Sequence, residues 1–257
     1  MSQPGPLALG MLPTGCLVVA DLHLEVEAGP DSEPIVEFTA FLERVRAAPM
    51  LVLLGDLFEY WLGRSHASSP GGRAVLAGLA AFPGRLVLVP GNRDVLAGAE
   101  LAASGLVLAP EGLVAEVEDG TRLLLLHGDE LCIHDTSYQR LRRFLRRPGV
   151  RTLLCALPAS VARLLAQSLR SHSKKAVPAK APLAVTQDAG EAARRLAAAG
   201  ARVLVVGHAH VFRDVPLAGA GRFVVLDAFG GDADCLRIGA LGALEFVSSR
   251  EQGIPAR

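Results

Sequence analysis

Seven side chains able to hold a divalent cation follow short apolar runs. They are Asp21 and His23 in "CLVVADLH", Asp56 in "MLVLLGD", Asn92 in "RLVLVPGNRD", His127 in "RLLLLHGD", and His208 with His210 in "ARVLVVGHAH". Carboxylate, imidazole and amide oxygen, with no thiolate among them, suit hard or borderline ions, manganese foremost, with iron and zinc open. Seven donors overfill one tetrahedral site, whereas two ions sharing a bridging carboxylate use them all. On extended backbone, residues i and i+2 point to the same side, so each D-x-H or H-x-H pair is expected to reach one cavity. Taken singly, an Asp after a strand is more often a turn or cap residue, and a lone His more often a hydrogen-bonded one. Repetition at five run ends is what points to a dinuclear centre.

Those runs, with "RFVVLDAF", have the length and Val/Leu content of strands buried on both faces. Segments of helical spacing, "IVEFTAFLERVRAA" and "GGRAVLAGLAAF", separate the first of them, giving an α/β order with polar clusters at the carboxyl ends of strands. From Asp21 to Asp56 is 35 residues, from Asp56 to Asn92 is 36, and from Asn92 to His127 is 35, but from His127 to His208 is 81. The extra chain predicts a helical cap over 135–185 inserted into a core formed by 1–134 and 186–257. Within it Leu141, Phe144 and Leu145, then Val161, Leu164, Leu165 and Leu169, make apolar stripes at helical spacing. Their leucines are expected to face the core as an apolar slot, and Arg140, Arg142, Arg143, Arg146, Arg147 and Arg151 to face outward, where they can meet an anionic membrane surface. Phe58 and Trp61 are expected in the core.

With 257 residues, 51% hydrophobic, the chain can bury a large core. Zero formal net charge excludes a global field for nucleic acid, and the basic stretch lacks the interleaved aromatics of a single-strand groove. Four widely spaced cysteines fit free thiols in a cytoplasmic protein, and no run of about 18 apolar residues is present. The chain therefore reads as soluble.

The motifs "DLH", "GDLFE", "GNRD", "HGD" and "GHAH", in this order, resemble those of the calcineurin-like metallophosphoesterases. The resemblance implies a four-layer αββα sandwich. It also implies a pair of divalent ions, Mn2+ by the donor chemistry above, one held by Asp21, His23, Asp56 and His210 and the other by Asp56, Asn92, His127 and His208. In much of that family a His follows the metal-binding Asn; here Arg93 does, a residue that cannot act as an acid near neutral pH but can clamp phosphate oxygens, which suits a diphosphate substrate. Gly91 is expected to allow the tight turn before it, and Asp94 to orient it.

Longer stretches, "GDLFEYWLG", "LLHGDELCIHDTSYQ" and "LRSHSKK", are similar to the branch of that family that cleaves the pyrophosphate of UDP-2,3-diacylglucosamine to UMP and 2,3-diacylglucosamine 1-phosphate in lipid A biosynthesis. That resemblance implies substrate contacts from Asn92, Arg93, Asp135, Tyr138, Ser173, Lys174, Lys180 and His208, with Asn92 and Arg93 also catalytic. It further implies a lipid-linked nucleotide sugar as partner and a cytoplasmic location peripheral to the inner membrane. Val177, Pro178 and "LDAFGGDADCL" depart from the branch's pattern. Phosphoesterases acting on another nucleotide or on phosphoprotein share the same ligand set, and a non-catalytic scaffold would have lost ligands, which this chain retains.

Overall fold

The computed structural model describes residues 5–158, 160–165, 168, 186–217 and 219–251. Among them, strands numbered along the chain form two six-stranded sheets. In the first, β2 (Leu17–Val19), β3 (Met50–Leu53), β4 (Arg85–Leu88) and β5 (Leu106–Leu108) run parallel, and β11 (Cys235–Ile238) and β12 (Leu244–Val247) extend it antiparallel beyond β2. The second has the order β1 (Leu7–Met11), β6 (Leu113–Glu116), β7 (Arg122–Leu125), β8 (Val203–Val206), β10 (Gly221–Val225), β9 (Arg213–Leu217), with β7, β8 and β10 mutually parallel. Its edges are irregular: β1 shifts register between Ala8 and Gly10, and β9 carries Pro216.

Alternation along each strand divides the apolar side chains into three interfaces. Val18, Val52, Leu54 and Val87 of the first sheet meet Leu123, Leu125, Val205 and Val224 of the second, forming the inter-sheet core. The opposite face of the first sheet, with Leu17, Val19, Leu51, Leu53 and Leu86, packs on Ile35, Phe38, Phe41 and Leu42 of helix α1 (Glu33–Arg44). Val75 and Leu79, from the Pro70–Ala81 helix, join that interface. Leu124, Leu204, Val206 and Phe223 on the outer face of the second sheet cover Ala192 and Leu196 of the helix Ala189–Ala198. The result is the αββα sandwich.

Shorter helices are α2 (Arg64–Ala67), before α3 (Pro70–Ala81), and α4 (Ala99–Ala103). The segment expected as a cap begins with α5 (Thr136–Leu145) and α6 (Pro148–Cys155) and continues helically over 160–165; α7 (Ala189–Ala198) then returns to the sandwich. Leu169 lies outside the described residues. Leu141, Leu145, Leu154, Leu157 and Leu165 turn toward the main body and line a cleft of about 220 Å3 whose other wall is Tyr60, Trp61, Leu62, Val95 and Leu96. The arginines divide differently from expectation. Arg140, Arg143 and Arg147 are exposed, but Arg142 pairs with buried Asp129, Arg146 donates to the carbonyls of Pro90 and Pro110, and Arg151 donates to that of Ala97. Loop carbonyls beyond the strand ends need donors, and these guanidinium groups supply them.

Candidate metal centre

Each candidate ligand leaves the carboxyl end of a parallel strand: Asp21 and His23 after β2, Asp56 after β3, Asn92 after β4, His127 after β7, and His208 and His210 after β8. Because the two sheets stack with these ends at the same side, loops from both converge, as ligand sites do in sheets of this kind. The local backbone is not extended. Asp21, His23, Asp56, His208 and His210 have φ of 55°, 51°, 49°, 71° and 54°, a left-handed region that non-glycine residues seldom adopt. The i, i+2 argument for D-x-H and H-x-H therefore fails in its geometry: a left-handed turn, rather than strand pleating, re-aims each side chain. Such conformations cost of order 1–3 kcal/mol each and persist where surrounding structure enforces them. Glycines beside the ligands serve close approach. A Cβ on Gly91 would strike Asp56 Oδ1 and one on Gly207 would strike Asp21 Oδ2, so Gly91 answers to crowding; its φ lies outside the positive range.

The side chains gather in two adjoining groups. In one, Asp21, His23 and His210 present ligand atoms within 4.8 Å of one another, and in the other so do Asp56, His127 and His208. Nε2 of His23 and Nε2 of His210 are 3.1 Å apart, and Asp21 Oδ1 is 3.6 Å from the latter. Asn92 Oδ1 lies 3.1 Å from His127 Nε2, which is 3.5 Å from Asp56 Oδ1. His127 Nδ1 meets the Leu54 carbonyl at 2.8 Å, which keeps a proton on Nδ1 and turns Nε2 toward the group.

Electrostatically these groups want a cation. Burial pushes Asp56 up to about 7, against the opposing pull of His127. Burial would lower His127, but Asp56, Asp21 and Asp129 outweigh it and raise it to about 9. Burial likewise raises Asp21, yet His210, close by at 3.6 Å, and the other nearby imidazoles leave it below its ordinary value. His23 and His208 fall to about 3 and about 4 through desolvation, so both present neutral nitrogen. Asp21 Oδ1 is buried without a hydrogen-bond partner, an acceptor that a cation satisfies. Carboxylate and amide oxygens, imidazole nitrogens and an orphaned carboxylate oxygen fit divalent ions at both groups.

Arg93 stands at the rim, its Nε 3.2 Å from Asp56 Oδ2 and its Nη1 2.7 Å from Glu59 Oε1, while its backbone N–H donates to Asp56 Oδ1 at 3.0 Å. Asp94 does not orient it. That carboxylate is buried and accepts from the backbone N–H groups of Leu57, Phe58 and Gly91, tying the Asp56 loop to the Asn92 turn. Adjacent residues in a tight turn point apart, so sequence adjacency misassigned the partner, and Glu59 is the acid that sequence reasoning missed. The only signal for it was its place three residues after Asp56 in "GDLFE".

The cap contacts also divide. Tyr138, Asn92 and Arg93 line the cleft. Asp135 is instead the N-cap of α5, accepting from the Tyr138 N–H at 3.1 Å, as an Asp before a helix commonly does. Tyr138 donates its hydroxyl to Asp129. Phe58 and Trp61 are buried and stacked at 4.2 Å, Trp61 with one edge on the cleft. Ser173, Lys174 and Lys180 lie outside the described residues.

Residues 16–212 match the calcineurin-like phosphoesterase family. The chain belongs to that family. Similar proteins include a UDP-2,3-diacylglucosamine hydrolase of Pseudomonas syringae pv. tomato, 38% identical over 76% of this chain and 78% of its own. One of that name from Pseudomonas entomophila is 39% identical over 76% and 81%, and one from Ralstonia nicotianae is 36% identical over 81% and 82%. As a calcineurin-like phosphoesterase the chain carries its candidate ligands at the strand ends its sandwich brings together.

Proposed function

We propose that this phosphoesterase hydrolyses the pyrophosphate of UDP-2,3-diacylglucosamine, releasing UMP and 2,3-diacylglucosamine 1-phosphate. The observation that carries this reading is the shape of the cleft: its polar end is Asn92 and Arg93 beside the metal-ligand groups, and its far end is a leucine-lined slot. A substrate with a diphosphate at one end and acyl chains at the other matches that polarity. The relatives' names point the same way.

In this reading Asp21, His23, Asp56 and His210 hold one divalent ion, and Asp56, Asn92, His127 and His208 the other, with Asp56 shared and His208 also near the substrate. Two such ions, manganese by donor chemistry, would supply Lewis acidity at the phosphoryl oxygens and activate water. Arg93 directs its guanidinium at the diphosphate, stabilising charge that grows as the bond breaks, and Asn92 coordinates without adding negative charge beside an anion. The leaving group is itself a phosphate, so it departs without the proton that Arg93 cannot give. Residues 135–185 act as a cap on a core of 1–134 and 186–257, and Tyr138 faces the substrate from it. Asp135 acts by fixing the start of α5, and recognition of the head group by Ser173, Lys174 and Lys180, which lie outside the described residues, is part of the same proposal.

No helix among the described residues is long and apolar enough to cross a membrane. Exposed Arg140, Arg143 and Arg147 beside exposed Phe144 and Leu153 would hold the enzyme on the anionic cytoplasmic leaflet where such a lipid resides. Vesicle sedimentation that is unchanged by Arg143→Glu with Arg147→Glu would remove that contact. The substrate is tested by following UMP release from UDP-2,3-diacylglucosamine beside hydrolysis of UDP-glucose and ADP-ribose. Strong preference for the lipid is expected, and equal rates on all three would leave only a general nucleotide phosphoesterase.

A further inference from the structure

Glu59 occupies a place that neither the ligand set nor the substrate clamp accounts for. Its carboxylate is nearly buried, with 11% of the side chain exposed, and its two oxygens face different partners. Oε1 accepts from Arg93 Nη1 at 2.7 Å, and the Glu59 carbonyl accepts from the same nitrogen at 3.3 Å. Oε2 lies 3.5 Å from Nδ1 of His23, a buried nitrogen with no hydrogen-bond partner. The other nitrogen of that ring, Nε2, faces His210 and is the one turned into the ligand group.

The backbone around Glu59 is fixed from both sides. Its N–H donates to the Leu24 carbonyl, and a bridge pairs Leu24 with Phe58, joining the Glu59 segment to the one carrying His23. Asp94 grips the N–H groups of Leu57 and Phe58 just upstream. A carboxylate mounted this rigidly can impose an orientation on both neighbours. An imidazole that coordinates through one nitrogen carries its proton on the other, and a carboxylate meeting that proton sets the ring's angle and raises its basicity.

We infer that Glu59 is a positioning residue that ties metal binding to substrate clamping, orienting His23 toward one ion through Nδ1 while holding the Arg93 fork toward the diphosphate. The inference rests on the metal and clamp roles proposed above. It does not depend on which diphosphate is the substrate. Once His23 is fixed by an ion, Glu59 is fixed with it, and Arg93 is presented in the orientation that the filled site requires.

The test uses the full chain with Glu59→Gln and Glu59→Ala, each with and without Arg93→Ala. Titration with Mn2+, followed by loss of the free-ion electron paramagnetic resonance signal, should show one of two sites weakened about 10- to 100-fold and the other unchanged. At Mn2+ concentrations that fill both sites, hydrolysis of bis(4-nitrophenyl) phosphate should fall about tenfold in kcat/KM for Glu59→Ala, a modest share of the loss typical of one charge-stabilising donor. That loss should largely vanish in the Arg93→Ala background, because the residue acts through Arg93. Glu59→Gln keeps an oxygen for one neighbour only and should recover part of the turnover without recovering Mn2+ affinity. Unchanged Mn2+ binding, or a Glu59 effect of equal size with and without Arg93, overturns the inference. Since neither readout uses the lipid, failure of the substrate assignment leaves this result standing, and failure here leaves that assignment standing.

Discussion

At the strand ends, five candidate ligands sit in left-handed backbone, His127 is locked to the Leu54 carbonyl, and glycines 91 and 207 admit no larger residue. Across the cleft, Phe144, Leu153 and Leu164 stand in solvent, and α5 and α6 reach the sandwich through Tyr138 and Arg142 on Asp129 and through arginines that donate to the Pro90, Pro110 and Ala97 carbonyls. One region is over-determined by the sheets beneath it; the other is attached by polar contacts from amphipathic helices. The contrast separates two tasks. Chemistry on phosphorus needs donors fixed to a fraction of an ångström, whereas enclosing acyl chains needs apolar area and a way in.

The largest break in that contrast comes from the carboxylate shared by both ions in the proposed centre. Asp56→Asn should lower phosphodiester turnover about a thousandfold, the upper range for removing a preorganised charge-stabilising group, and should reduce bound Mn2+ below two per chain. Retention of two tightly bound ions would show that Asp56 is not shared. Arg93→Ala comes next, with turnover of a diphosphate substrate lower by about a hundredfold and Mn2+ stoichiometry retained. Arg93→Lys should recover only part, since a point charge cannot copy a planar fork; full activity in either variant would make Arg93 structural. On the cap side, Leu154→Asp should cost about tenfold in kcat/KM on the diacylated substrate, near the value of one buried leucine. It should leave bis(4-nitrophenyl) phosphate hydrolysis unchanged, and equal losses on both would mean the cap supports the centre itself.

A separate effect is on stability against pH. Against the pull of burial, Asp56, Asp21 and Asp129 raise His127 from its ordinary 6.5 to about 9 in the folded chain, and His210 is also raised, chiefly by Asp21. Each binds its proton more tightly folded than unfolded, so its contribution is complete below pH 6.5 and is lost as pH rises through the folded value. Asp56, raised to about 7, acts in the same direction at lower pH, and the lowered His23 and His208 act oppositely only below 6.5. The Tm of the metal-free chain should therefore fall between pH 7 and 9, and saturating Mn2+ should remove the fall. A metal-free Tm that rises over that interval would contradict these shifts.

The ligand loops were legible because continuous Val/Leu runs mark doubly buried strands and a polar cluster directly after each is conspicuous. Strands β1, β5, β6, β9, β11 and β12 were not picked out, since exposed edge strands such as "LALGM" and "RDVPL" carry no such run. Side-chain direction in tight turns was equally hidden. Asp94 and Asp135 look like site acids by position, yet one staples backbone and the other caps a helix. Glu59, which holds Arg93, is distant from it in sequence and shows its role only once the β3 and β4 loops lie together. The arginines of α5 and α6 read as a charged surface because no local pattern announces that a carbonyl on another loop awaits them.

The irregular edges of the second sheet carry a different consequence. An edge strand offers free N–H and C=O groups to any strand that drifts by. In β1 the register shift at Gly10 interrupts that row, and in β9 Pro216 lacks the N–H altogether, with Arg213 and Asp214 as charged neighbours. A second copy of the chain can lay no continuous ladder along either edge. In a protein half of whose residues are hydrophobic, with no net charge to keep copies apart, these two edges are thereby poor templates for a strand of a second copy.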